Sequence, residues 1–175
     1  PAAGAGVRAL VVNTGNANAG TGADGLERAR RVCAAVAAEL GCAPEQVLPF
    51  STGVIMEPLP VDRVVAGLPR AVAALRAEAW LDAAESIMTT DTVAKEAALR
   101  VDIGGRPVTI GGIAKGVAML EPHLATMFCF VATDAVAARG ALGAVVKRAV
   151  DGSFNRATVN SATSTSDTAA VMANV

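Results

Sequence analysis

The Gly104-Gly105 dipeptide places the tightest local constraint on this chain, because it sits between two strand-like runs, Ala97–Ile103 and Arg106–Ile113. Adjacent glycines accept the positive φ angles that a two-residue reverse turn demands, so the pattern predicts an antiparallel hairpin. Elsewhere, short apolar runs alternate with helical stripes. Val7–Val12 reads as a buried strand, and the Asn/Gly-rich segment Asn13–Gly22 after it has turn chemistry throughout. From about Asp24 to Leu40, the residues Leu26, Ala29, Val32, Cys33, Val36 and Leu40 recur at helical spacing, and Gly41 supplies the stop.

Gln46–Phe50 predicts a short strand, with Ser51–Ile55 as a loop or the beginning of a strand. Helices are expected over Val61–Leu75 and Trp80–Ile87, the second ending at the polar run Thr89–Thr92. Ala114–Met127 holds too many Gly and Pro residues for a regular element. It leads into an apolar strand, Phe128–Thr133, and a helix over about Val136–Val150. One more strand near Ala157–Val159, a hydroxyl-rich loop and an apolar end complete the pattern. Strands alternating with helices around a hairpin make an α/β or α+β fold.

Several function classes drop out on composition. The 175 residues carry 15 basic and 16 acidic side chains and no Tyr, with no basic cluster interleaved with aromatics. A polyanion-binding surface needs such a cluster, so nucleic acid is not an expected partner. No apolar run reaches the roughly 18–20 residues that span a membrane, and the first residues lack a signal-peptide pattern. A soluble, cytoplasmic protein is expected. Cys33, Cys42 and Cys129 form no CxxC pair and leave an odd count, which argues against a disulfide framework or a zinc site.

Three polar clusters interrupt the apolar surroundings: Ser51-Thr52-Gly53, Thr89-Thr90-Asp91-Thr92, and Lys115-Gly116 with Ala125-Thr126 downstream. Taken singly, each reads as an ordinary turn or cap. The lone His123 could be set with Thr126 and Asp134 as a triad, but closeness in sequence says nothing about the required geometry. Cys129 lies in an apolar strand, where thiols are usually inert. The segment GNANAGTG follows a strand and precedes a helix, yet it matches neither G-x-G-x-x-G nor the P-loop pattern.

The order of the motifs carries more information than any one of them. VVNTGNANAGTG, FSTGVI, IMTTDT, GIAKG, MLEPHLATM, ATDA and SFNRATV…TSTSDT follow one another across essentially the whole chain. In that order and spacing the chain resembles the self-processing ornithine acetyltransferases of arginine biosynthesis. The resemblance implies a layered αββα-type sandwich and cleavage between Ala125 and Thr126 by the Thr126 hydroxyl. The acetyl group of N-acetylornithine would then pass to Thr126 and on to glutamate. Thr52 and Gly53 would stabilise the oxyanion, a role in which one lost donor typically costs about 2.7–4 kcal/mol. Thr89 and Lys115 would join Thr126 in contacting substrate, with Thr90 the alternative to Thr89 and the lysine a compact charge for an amino-acid carboxylate.

The resemblance further implies no metal, no bound cofactor, acetyl-CoA as a conceivable second donor, and an α2β2 heterotetramer after cleavage. It implies that the chain is truncated at both ends, with 1–125 an α-chain portion and 126–175 the start of a β chain. Ser166 stands where the family has Asn. Two other readings fit the same residues: a related self-processing aminopeptidase, and an inactive fragment that acts as an interaction surface.

Overall fold

The computed structural model describes residues 6–117, 126–157, 164 and 166–173, which divide into two units, 6–79 and 80–117 with 126–173. In the first unit, β1 (Ala9–Asn16) leads into α1 (Gly22–Leu40), a 3₁₀ turn at Pro44–Gln46, β2 (Val47–Val54) and α2 (Val61–Ala73). β1 and β2 pair in parallel from Ala9 opposite Val47 onward, so α1 is the crossover of a β-α-β unit. The core forms where α1 turns Val32, Cys33, Val36 and Ala37 onto Val47 and onto Leu59, Val61 and Leu68. Burying each larger side chain here contributes roughly 1.5–3 kcal/mol. Leu26 and Leu40, counted in the helical stripe from sequence, stay exposed at the helix ends. Gly41 takes φ 63°, and the Gly41 and Cys42 N–H groups both donate to the Ala37 carbonyl.

One segment expected to be a turn is strand, and one left open between loop and strand is strand as well. β1 continues through Asn13–Asn16 and β2 through Ser51–Val54, and the two strands pair in register as far as a bulge at Asn16. A parallel partner satisfies these backbones, and local turn propensity is overridden.

The second unit contains α3 (Trp80–Ser86), β3 (Lys95–Ile103), β4 (Arg106–Lys115), β5 (Phe128–Thr133), α4 (Arg139–Gly152), a 3₁₀ turn at Phe154–Arg156 and β6 (Thr168–Ala173). Its sheet runs β3-β4-β5-β6; the first two pairings are antiparallel and β5-β6 is parallel. The hairpin is present as expected. Gly104 and Gly105 take φ 63° and 79°, and Asp102 Oδ1 receives the Gly105 N–H at 2.8 Å. On β5, Phe128 and Phe130 are buried on one face with ring centroids 5.7 Å apart, and Cys129 is buried on the other.

Three expectations change. Ala114 and Lys115 belong to β4, paired with Cys129 and Phe128. The apolar end is strand β6, because β5 offers it an open edge. Of the strand expected near Ala157–Val159, Ala157 lies outside any strand and the rest falls outside the described residues. Among the described residues, no helix is long and apolar enough to cross a membrane.

Candidate active site

Asparagine side chains hold the end of the β1–β2 pair. Asn13 Oδ1 accepts the Ser51 hydroxyl at 2.6 Å, and Asn13 Nδ2 donates to the Asn16 carbonyl at 2.8 Å. Asn16 Nδ2 reaches the Glu57 carbonyl at 2.8 Å, and Asn16 Oδ1 receives the Asn18 N–H at 2.8 Å. The side-chain amides of Asn13 and Asn16 are thus spent on the chain itself. Their effect is to fix Ser51-Thr52-Gly53. Thr52 is 1% exposed, and Gly53 has φ 136° with the Gly15 backbone pressed against it.

Thr89, Lys115 and Thr126 belong to the second unit. Lys115 ends β4 and is 3% exposed; its ammonium donates to Thr89 Oγ1 at 2.9 Å. β-Pairing sets Lys115 opposite Phe128, two residues beyond Thr126. Thr126 is itself buried, and its hydroxyl shares a 3.2 Å hydrogen bond with the Ser164 hydroxyl. Asp167 clamps this corner: Oδ1 accepts the Met127 N–H at 2.7 Å and Oδ2 the Ser164 N–H at 2.9 Å. The Ser164 hydroxyl also receives the Ser166 N–H at 3.1 Å. Thr126 is therefore gripped from both its side chain and its neighbouring peptide. Ala125 and His123 lie outside the described residues.

Sequence reasoning passed over Asp91, Lys95, Ser164 and Asp167. Asp91 Oδ1 binds the Lys95 ammonium at 2.5 Å and the Gly116 N–H at 2.9 Å. A carboxylate among hydroxyls, four residues before a lysine, was the signal available for Asp91; TSTSDT offered the same for Asp167. The triad alternative fails on distance. Asp134 follows the far end of β5, binds the Thr109 N–H at 2.7 Å, and is separated from the Thr126 end by five strand steps, roughly 17 Å. Burial pushes the Cys129 thiol above its ordinary value, which leaves it protonated and inert.

Burial works to raise the Asp91 carboxyl, but the Lys95 ammonium and the Gly116 and Thr89 N–H groups outweigh it and hold the group below the usual carboxylate range. Burial lowers Lys115, Asp91 opposes that, Lys95 adds to it, and Asp167 opposes it; the result lies below the ordinary lysine value. The linkage sign for Asp91 follows from its depressed folded value. Its stabilisation is present above the unfolded carboxylate value and is lost as pH falls through the folded one. Urea midpoints of the wild type should therefore drop more steeply below about pH 4 than those of Asp91→Asn, which starts lower at neutral pH. Parallel acid profiles would refute this.

Comparison with known proteins gives a consistent result. The family model of the ArgJ family matches residues 2–175. The fold is similar to that of the arginine biosynthesis bifunctional protein argJ from Bacillus halodurans, at 38% identity and TM-score 0.56, over 66% of this chain and 60% of that one. It is likewise similar to ornithine acetyltransferase from Mycobacterium tuberculosis, solved in complex with ornithine, at 32% identity and TM-score 0.53, over 66% of this chain and 62% of that one. The mixed α/β architecture read from sequence is the one these proteins share, and the match spans about 60% of their chains.

Proposed function

The chain belongs to the ArgJ family, and on that premise we propose that it carries the nucleophile of an acetyltransferase that moves acetyl from N-acetylornithine to glutamate. The observation that carries the reading is the Thr126 hydroxyl, buried and hydrogen-bonded to Ser164 at the end of the sheet where Lys115 emerges.

In the uncut chain, Thr126 Oγ1 attacks the Ala125 carbonyl carbon. The C–N bond breaks, the nitrogen leaves as an amine with the proton, and water hydrolyses the resulting ester. A threonine hydroxyl is a weak nucleophile without a nearby base. The cut supplies one, because the new α-amino group has a reference pKa of about 7.7–8.0 and is partly neutral near pH 7. Thr126 Oγ1 then attacks the acetyl carbonyl of N-acetylornithine, and ornithine leaves with the proton. The glutamate amine attacks the ester carbonyl, the C–Oγ1 bond breaks, and Thr126 Oγ1 leaves as the hydroxyl with the amine's proton. In this reading Thr52 Oγ1 and the Gly53 N–H are the oxyanion donors, and Thr89 and Lys115 hold substrate. The reading extends to an α2β2 assembly in the cytoplasm, needs no bound cofactor, and admits acetyl-CoA as a second donor.

The test is a two-step mass measurement on the purified protein. N-acetylornithine should add one acetyl group to the piece that begins at Thr126, and glutamate should discharge it as N-acetylglutamate. Release of free amino acids from peptides, with glutamate left unacetylated, would replace this reading with the aminopeptidase one.

A further inference from the structure

Asp91 lies in the loop between α3 and β3, and its side chain is 1% exposed. Oδ1 takes the Lys95 ammonium and the Gly116 N–H, and Oδ2 faces the Thr89 N–H at 3.5 Å. Three segments therefore meet on one carboxylate: the loop that carries Thr89, the start of β3, and the residue after Lys115. Gly116 is the close-approach point among them. It has φ 146°, and a Cβ there would stand 3.4 Å from Met127, the residue that follows Thr126. Lys115 closes the ring by donating to Thr89 Oγ1.

The charges are as ordered as the hydrogen bonds. Lys115 interacts electrostatically with Asp91, Lys95 and Asp167. From β5 it meets the uncharged Phe128, and the acidic residues of α3, Asp82 and Glu85, are exposed. One buried carboxylate thus holds the Lys95 ammonium and the Gly116 N–H, and its charge favours the Lys115 ammonium. Replacing it with an amide keeps an acceptor for the Gly116 N–H but leaves both lysines without its charge.

We infer that Asp91 is a positioning residue of this site: its carboxylate fixes the Thr89–Lys115 pair against the segment that runs from Thr126 into β5 and balances the Lys115 ammonium. The inference rests on the acetyl-transfer reading only for what Lys115 holds. The charge arrangement stands apart from it.

The chain has three lysines, Lys95, Lys115 and Lys147, so ε-carbon labelling of lysine gives three NMR signals that can be titrated separately. Asp91→Asn should move the Lys115 midpoint to lower pH, because the favourable charge is gone. Lys95→Met should move it to higher pH, because a like charge is gone, and Lys147 should stay in place in both. A folded Asp91→Asn that leaves Lys115 unmoved would overturn the inference, as would a downward shift in Lys95→Met. If Asp91→Asn does not fold, Lys95→Met decides alone. In the transfer assay, Asp91→Asn should raise the KM for glutamate about tenfold while kcat changes less; an unchanged KM would remove the positioning role. Absent acetyl transfer in the wild type, together with the opposed lysine shifts, would sink the transferase reading and leave the Asp91 arrangement standing.

Discussion

Thr126→Ala is expected to stay whole under conditions in which the wild-type chain separates fully into 1–125 and 126–175. On the proposed mechanism the effect is all or none, because the substitution removes the attacking atom. Thr126→Ser keeps the hydroxyl and should still cut. Ser164→Ala probes a different quantity. It removes the hydroxyl 3.2 Å from Thr126 Oγ1, a neutral hydrogen bond worth about 1 kcal/mol, so cutting should slow about five- to tenfold without stopping. Asp167→Asn should slow it as well, since the carboxylate ties Met127 and Ser164 into one corner. Intact-mass measurement over time separates the four variants from the wild type. A Thr126→Ala chain cleaved at the same bond, or a folded wild type that never cleaves, would remove Thr126 as the cutting residue.

The local elements were legible wherever sequence pattern and backbone demand agree. Gly104-Gly105 specified its hairpin, Gly41 its helix stop, and Phe128–Thr133 its strand. The strands that sequence did not specify share one cause, which is pairing between distant segments. Nothing within Asn13–Asn16 says strand, and Ser51–Val54 left loop and strand open; both are strand because each lies alongside the other. Thr168–Ala173 is strand for the same reason, with β5 as its partner.

The candidate site shows the same division. Thr89, Lys115 and Thr126 could be named from motif order, since each sits inside a short cluster. The partners that hold them could not. Asp91 to Gly116 spans 25 residues and Asp167 to Met127 spans 40, so these bonds exist only once the sheet has formed. A sequence reading sees the chemistry-bearing side chain. The carboxylates Asp91 and Asp167 stand in the same motifs, but their backbone partners Gly116 and Met127 are fixed only by the fold.

Gly53→Ala should be the most damaging single substitution in the first unit, even though it adds one methyl group. Gly53 pairs with Gly15 across the parallel strands, and a bulge at Asn16 brings the two backbones together there. A Cβ on Gly53 would lie 2.3 Å from the Gly15 carbonyl carbon and 2.6 Å from the Asn16 nitrogen. Both neighbours are backbone, so no side chain can swing aside, and the φ of 136° is itself unfavourable for any residue with a Cβ. Strain of this kind costs about 1–3 kcal/mol before the overlap is counted, and the overlap makes roughly 3 kcal/mol the lower expectation. The damage should be local. Amide exchange should accelerate about a hundredfold or more in Ala9–Asn16 and Val47–Val54 and stay near wild type in the hairpin Lys95–Lys115. Gly41→Ala, also at positive φ but with nothing within 4 Å of its Cβ position, serves as the comparison and should cost about 1 kcal/mol. If Gly53→Ala proves no worse than Gly41→Ala, the close approach of β1 to β2 does not govern this corner. Thr52 and Gly53 would then need another explanation for their rigid placement.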